Sequence, residues 1–242
     1  MAQVQDPAVV AALLSLVAHD LRNPLSALQS NVGYLESTVG SQGRELREAL
    51  VDVGSSCGSL KHLIDNLELL GLALLERTPE FERVPLSLWD MAGDVARRLE
   101  AIAESYGVRV TLEGERQKGP WVLANRDMFS RCLSNLVLNA IQNAGSSSGV
   151  TLLLSQDAAW GAVHVLDGGA VLADALELTA FTAEGQLLCK GDPRGRYGKG
   201  LGLFASRVAA ELAGAEVSSG HSADGRNLFI LKARLVQNNL RS

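Results

Sequence analysis

The stretch from residue 15 to residue 29, SLVAHDLRNPLSALQ, sets a histidine against an aspartate in a leucine-rich helical run. An exposed imidazole titrates near neutrality and can present one ring nitrogen as a free lone pair. Asp20 stands next to His19, where a carboxylate can take the proton of the other ring nitrogen and raise the nucleophilicity of the free one. The pair is equipped for attack by nitrogen on an electrophile. Ser15, Arg22, Asn23 and Ser26 share the histidine's face, at helical spacings of three and four. Pro24 interrupts the helix one turn later, at a cost of about 3 kcal/mol. The bend it imposes loosens the backbone beside a group that another molecule must reach.

Three further clusters could handle a phosphate-bearing ligand. In NLVLNAIQNA, Arg131, Asn135, Asn139 and either Gln142 or Asn143 line one helical face, while Phe129, Leu133, Leu136, Val137, Ala140 and Ile141 form the buried side. Amides in one line can ligate Mg²⁺ through oxygen and hydrogen-bond phosphates through N–H. In VLDGGAV, Asp167 ends a strand; a buried carboxylate there can accept an exocyclic amine, and Gly169 lets the backbone approach a ring. In GKGLGLFASRVAAELAG, Gly198, Lys199, Gly200, Leu201 and Gly202 lead into a helix whose free N–H groups and dipole favour phosphate. Arg194, Arg196 or Lys199 could add contacts from the glycine-rich segment before it.

These residues need elements to position them. Leu14, Leu21, Leu28 and Leu35 recur every seven residues, with Ala18, Leu25, Val32 and Val39 four places after each. Leu46, Leu50, Val53, Cys57, Leu60, Ile64 and Leu67 repeat the pattern after the break TVGSQGRE. Two such helices form an antiparallel hairpin, with His19 at the heptad position farthest from the stripe. A hairpin cannot bury two long stripes alone, so a four-helix dimer is expected, the alternative being a bundle completed by the rest of the chain. RTPEFERVPLS, broken by Pro79 and Pro85, reads as a linker. Beyond it Ser87 caps a helix to about Tyr106, with Asp90 placed for a capping box, and Asn125 caps another to about Ala144. VRVTLEG, PWVLA, GVTLLLSQD, WGAVHVLD and RNLFILKARL read as strands, and a last helix spans Leu201 to Ala213. Strands mixed with helices predict an α+β sandwich, helices on one face of a mixed sheet.

Composition narrows the classes. A chain of 242 residues with 47% hydrophobic and 20% charged residues is globular, and a net charge of −5 gives no basic footprint for nucleic acid. Cys57, Cys132 and Cys189 are odd in number, widely spaced and without a CxxC, which points to a reducing compartment rather than a disulfide or zinc framework. Residues 8–18 are apolar, but no Lys or Arg precedes them and the run is far short of the roughly 20 residues of a membrane span. No membrane attachment and a cytoplasmic location are expected.

HDLRNPL resembles the phosphoacceptor box of two-component sensor histidine kinases. The resemblance continues in the family's order: NLVLNAIQNA is similar to the N box, VLDGGAV to the G1 box, and GKGLGLFASRVAAELAG to the G2 box. Phe181, in FTAEGQLLCKGDPRGRY, resembles the phenylalanine of the ATP lid. The G1 match is incomplete, because Val171 stands where the second glycine belongs. The resemblance implies a dimerisation and phosphoacceptor hairpin over 8–77, a linker over 78–86 and an ATP-binding sandwich of the GHKL type over 87–236. It implies His19 as the phosphorylated residue, Asp20 as general base and Asn23 as the residue that positions water for the reverse, phosphatase reaction. Asn139 would hold Mg²⁺, supported by Asn135; Asp167 and Gly169 would bind adenine; Gly198, Lys199, Gly200, Leu201 and Gly202 would hold the phosphates of ATP. His62, His164 and His221 match nothing and read as structural or surface residues.

Two functions follow. One is an ATP-dependent protein-histidine kinase that autophosphorylates His19 and passes the group to a response-regulator receiver aspartate, working as a homodimer. The other is a phosphotransfer or scaffold protein of the same architecture, with a degenerate ATP site, that docks receiver domains. Intact Asn139 and the G2 loop favour the first, Val171 the second. With no sensory module legible before the hairpin, input is expected from a separate partner or another segment.

Overall fold

The computed structural model describes residues 7–37, 44–73, 80–116, 119–144, 149–169, 179–186 and 201–236. Two long helices come first, α1 (Pro7–Ser37) and α2 (Arg44–Ala73), packed against each other as a hairpin. Helix α1 runs on through Pro24. Burial is concentrated away from the connection, at Leu13, Leu16, Val17, Leu69 and Leu70. Along the middle, Leu25, Val32, Leu50 and Ile64 of the expected stripe are between 44% and 55% exposed. Two helices share a single seam, so apolar faces wider than that seam stay uncovered within one chain.

The remainder is an α+β sandwich: β1 (Val84–Ser87), α3 (Leu88–Ser105), β2 (Val110–Glu113), β3 (Trp121–Ala124), α4 (Arg126–Asn143), β4 (Val150–Gln156), β5 (Trp160–Asp167), α5 (Gly202–Ala213), β6 (Ala215–His221) and β7 (Asn227–Arg234). The Ser87 hydroxyl caps α3 by accepting from the Asp90 N–H at 3.2 Å, and the Asn125 side chain caps α4 by accepting from Met128 at 3.1 Å. Each cap satisfies an N–H that the helix itself cannot, which fixes where the helix starts. The Asn125 N–H also donates to the Ala213 carbonyl, tying the start of α4 to the end of α5.

Among the described residues, β2-β4-β5-β7-β6 form a five-stranded sheet, and β1 and β3 form a separate antiparallel pair. Strands β2 and β4 are parallel; the other neighbours in the large sheet are antiparallel. Two strands differ from the sequence expectation. Strand β1 begins inside the stretch that Pro79 and Pro85 suggested as a linker. Proline is tolerated there because β1 pairs with β3 alone, so one edge needs no ladder donor. Strand β6, in AEVSSGH, carries weak strand propensity and forms through its pairing with β7 over residues 215–221.

Alternate residues of β4, β5 and β7 turn inward: Val150, Leu152, Val163, Val165, Phe229, Leu231 and Ala233 are fully or almost fully buried. They share one apolar core with Phe129, Leu133, Leu136, Val137, Ala140 and Ile141 of α4, the side that periodicity assigned to burial. Leu13, Leu16, Val17, Leu69 and Leu70 of the hairpin belong to the same core. The hairpin is thereby seated on the sandwich, with α2 against α3 and α5.

Candidate active site

Seating the hairpin on the sandwich encloses a cleft of about 750 Å³. One wall carries His19, Asp20 and Asn23 of α1; the facing wall carries Asn139 and Gln142 of α4 with Leu201 and Gly202 at the start of α5. His19 is 54% exposed, so its ring is reachable, whereas the Asp20 side chain is only 9% exposed. His19 Nδ1 lies 3.1 Å from Asp20 Oδ1. That contact engages Nδ1 and leaves Nε2 as the ring nitrogen outside the pair.

On the other wall, Asn139 and Gly202 interlock. A Cβ built on Gly202 would lie 2.7 Å from Asn139 Nδ2 and 2.9 Å from Oδ1, so only glycine lets the α5 start approach this amide. Asn139 Nδ2 is buried without a hydrogen-bond partner among the described residues. A buried amide hydrogen left unpaired is costly, and a ligand oxygen would satisfy it. The backbone of α5 begins beside it, presenting the N–H groups of a helix start.

Asn135, one turn before Asn139 on α4, is 1% exposed and lines a second cavity, of about 320 Å³, between α2, α3 and α4. His62 of α2 lines both this cavity and the cleft, so it is neither an isolated surface residue nor remote from the site. Burial pulls its pKa below the ordinary 6.5, against the opposing pull of Asp65 and a hydrogen-bonding contribution from Asn135. Sequence spacing gave no signal for His62, because its neighbours come from helices far away in the chain.

Asp167 ends β5 and is fully buried. Its Oδ1 accepts from Asn143 Nδ2 at 2.8 Å, from Asn227 Nδ2 at 2.9 Å and from the Gly169 N–H at 2.9 Å. Asn227 was not foreseen; it reaches Asp167 because β5 and β7 pair with these residues opposite each other. Gly169 also makes a close approach within the protein. A Cβ there would lie 2.1 Å from the Asn143 carbonyl oxygen, so the glycine accommodates α4 backbone. Phe181 is 6% exposed and packs edge-to-face on Phe229, centroids 6.2 Å apart, as part of the core. Val171, Arg194, Arg196, Gly198, Lys199 and Gly200 lie outside the described residues.

A helical hairpin with an exposed His–Asp pair thus faces an asparagine and a glycine-led helix start across a cleft. Residues 10–72 match the His Kinase A (phospho-acceptor) domain. The chain is 27% identical over 148 residues to the sensory histidine kinase/phosphatase NtrB of Rhizobium meliloti, covering 60% of this chain and 36% of that protein. It spans about a third of the length of this and two other curated relatives that it matches. In fold it is similar to histidine kinase ThkA in complex with response regulator protein TrrA, with TM-score 0.61 at 18% identity, covering 96% of this chain and 64% of that one. It is also similar to full-length ShkA in complex with AMPPNP, with TM-score 0.57 at 19% identity, covering 93% and 46%. The family match thus covers the hairpin, residues 10–72, and over most of its length the chain shares the fold of solved histidine kinases.

Proposed function

We propose that the chain is an ATP-dependent protein-histidine kinase that phosphorylates itself on His19 and passes the phosphoryl group to a response-regulator aspartate. The observation that carries this reading is the shared cleft, with His19 and Asp20 on one wall and Asn139 and Gly202 on the other. The facing wall fits a magnesium nucleotide: a buried amide lacking a partner, in a close approach that only glycine permits, at a helix start. Asn139 would hold Mg²⁺ through Oδ1; Leu201 and Gly202, with Gly198, Lys199 and Gly200, would hold phosphates. Asp167, oriented by its amide donors, and Gly169 would form the adenine end, with Asn135 bracing α4. ATP supplies the γ-phosphoryl group when bound. His19 attacks through Nε2, forming the N–P bond as the γ-phosphorus bond to ADP breaks, and Asp20 takes the proton from Nδ1. Asn23 positions the water that reverses the regulator's phosphorylation, since an amide can orient water without acting as a base.

The unit boundaries proposed are 8–77 for the phosphoacceptor hairpin, 78–86 for the linker and 87–236 for the ATP-binding unit, the end of the linker being drawn into that unit as β1 through its pairing with β3. The exposed Leu25, Val32, Leu50 and Ile64 are the seam for a second copy of the hairpin, giving a homodimeric four-helix bundle. No helix among the described residues is long and apolar enough to cross a membrane. A cytoplasmic site of action and a separate sensory partner remain part of the proposal. Val171 favours the second reading, a phosphotransfer or scaffold protein with a weakened ATP site. Incubation with γ-labelled ATP and Mg²⁺ separates the two. The kinase reading expects label that is lost in acid and kept in base, whereas an unlabelled protein would leave only the phosphotransfer reading.

A further inference from the structure

The kinase reading leaves open which chain's nucleotide serves which histidine. Three observations bear on it. His19, Asp20 and Asn23 share their cleft with Asn139, Gln142, Leu201 and Gly202 of the same chain. The hairpin is seated on its own sandwich by a continuous apolar core, in which Leu13, Leu16, Val17, Leu69 and Leu70 join the residues of α3, α4 and α5. Farther along α2, a Cβ on Gly58 would stand at ordinary contact distance, 3.7 Å, from Ile102 Cδ1 of α3. The face that receives the sandwich is therefore occupied by it, α2 meeting α3 and α5 around the two cavities.

The face left for a second copy is a different one. Leu25, Val32, Leu50 and Ile64 are each about half exposed while the sandwich is in place. A partner hairpin can cover them without displacing the sandwich from His19. Dimer formation and the cleft do not compete for the same residues.

From this arrangement we infer that His19 takes its phosphoryl group from the nucleotide held by its own chain, so that autophosphorylation is intramolecular. The inference rests on the kinase reading above. His19 Nε2 gains the γ-phosphorus, the bond from that phosphorus to ADP breaks, and the Nδ1 proton passes to Asp20 of the same helix, 3.1 Å away. The second copy supplies the bundle, not the substrate.

The test pairs a wild-type chain with a chain carrying both His19→Ala and Asn139→Ala, co-expressed with different tags and purified through both. Intramolecular transfer predicts that the wild-type chain is labelled by γ-labelled ATP and Mg²⁺ at its full rate per intact His19. Loss of label in the mixed dimer, with the wild-type homodimer still labelling, overturns the inference and leaves the kinase reading standing. A wild-type homodimer that does not label removes both together. As a second measurement, the labelling rate constant of wild-type protein should not change on dilution. A rate constant that falls in proportion to protein concentration, as for transfer between separate molecules, also overturns the inference.

Discussion

Replacing Gly202 by alanine probes the nucleotide wall without touching the phosphoacceptor. The new Cβ would sit 2.7 Å from Asn139 Nδ2, 2.9 Å from Oδ1 and 3.1 Å from Cγ. Non-bonded carbon contacts settle at about 3.5–4.0 Å, so the amide must retreat by about 0.8 Å or rotate away. It is the far end of a side chain, so the protein still folds and the strain goes into displacing Asn139. Overpacking of this kind costs about 1–3 kcal/mol, which corresponds to roughly 5- to 150-fold in affinity if the nucleotide depends on that amide. Calorimetric titration with a non-hydrolysable ATP analogue and Mg²⁺ measures the change, with thermal unfolding alongside. Gly54→Ala is the control, because nothing lies within 4 Å of its added Cβ. It should leave nucleotide affinity unchanged and stabilise α2 by about 0.5–1 kcal/mol. Wild-type nucleotide affinity in Gly202→Ala would refute a nucleotide site built on Asn139. Gly169→Ala makes the contrast: its Cβ would lie 2.1 Å from the Asn143 carbonyl oxygen, which is backbone and cannot swing aside, so thermal stability should fall sharply.

Asn23→Ala should leave autophosphorylation near wild type and slow dephosphorylation of the phosphorylated receiver; equal loss of both in paired kinetic assays would count against the role. Leu25→Asp should convert the dimer to monomer with little loss of monomer stability. Leu25 is 49% exposed within one chain, whereas an unpaired charge in a closed seam costs several kcal/mol, and sedimentation at micromolar concentration reads the outcome. His62 sets a pH dependence. Burial holds its folded pKa below 6.5, so the unfolded chain takes up the proton first; its contribution is complete above about pH 6.5 and declines as pH falls toward the lowered value. Thermal stability should therefore fall less steeply on acidification in His62→Gln than in wild type, and parallel slopes would contradict the burial.

What could be read from the sequence was whatever depends on neighbours in the chain. The long helices follow from three-and-four periodicity, and their starts at Leu88 and Arg126 from the side chains of Ser87 and Asn125, which reach only three residues ahead. The His19–Asp20 pair is adjacent in sequence, so its contact was legible too. What was not legible depends on distant pairing. Strand β6 exists because β7 offers it a ladder, and Asn227 meets Asp167 only through the register of β5 and β7. His62 became part of the cleft because α2 packs on α3 and α5, a docking that no local pattern encodes. Gly169 was marked for approach to a ring; that the Asn143 carbonyl of α4 lies beside it depends on tertiary packing, which no local pattern encodes.

The most direct measurement locates the phosphoryl group. Protein treated with Mg²⁺ and ATP, held at alkaline pH and cleaved, should yield one phosphorylated peptide, with the modification on the ring of His19. The same treatment of His19→Ala should yield none. Phosphate found on a serine, on His62 or on no residue at all would contradict the account.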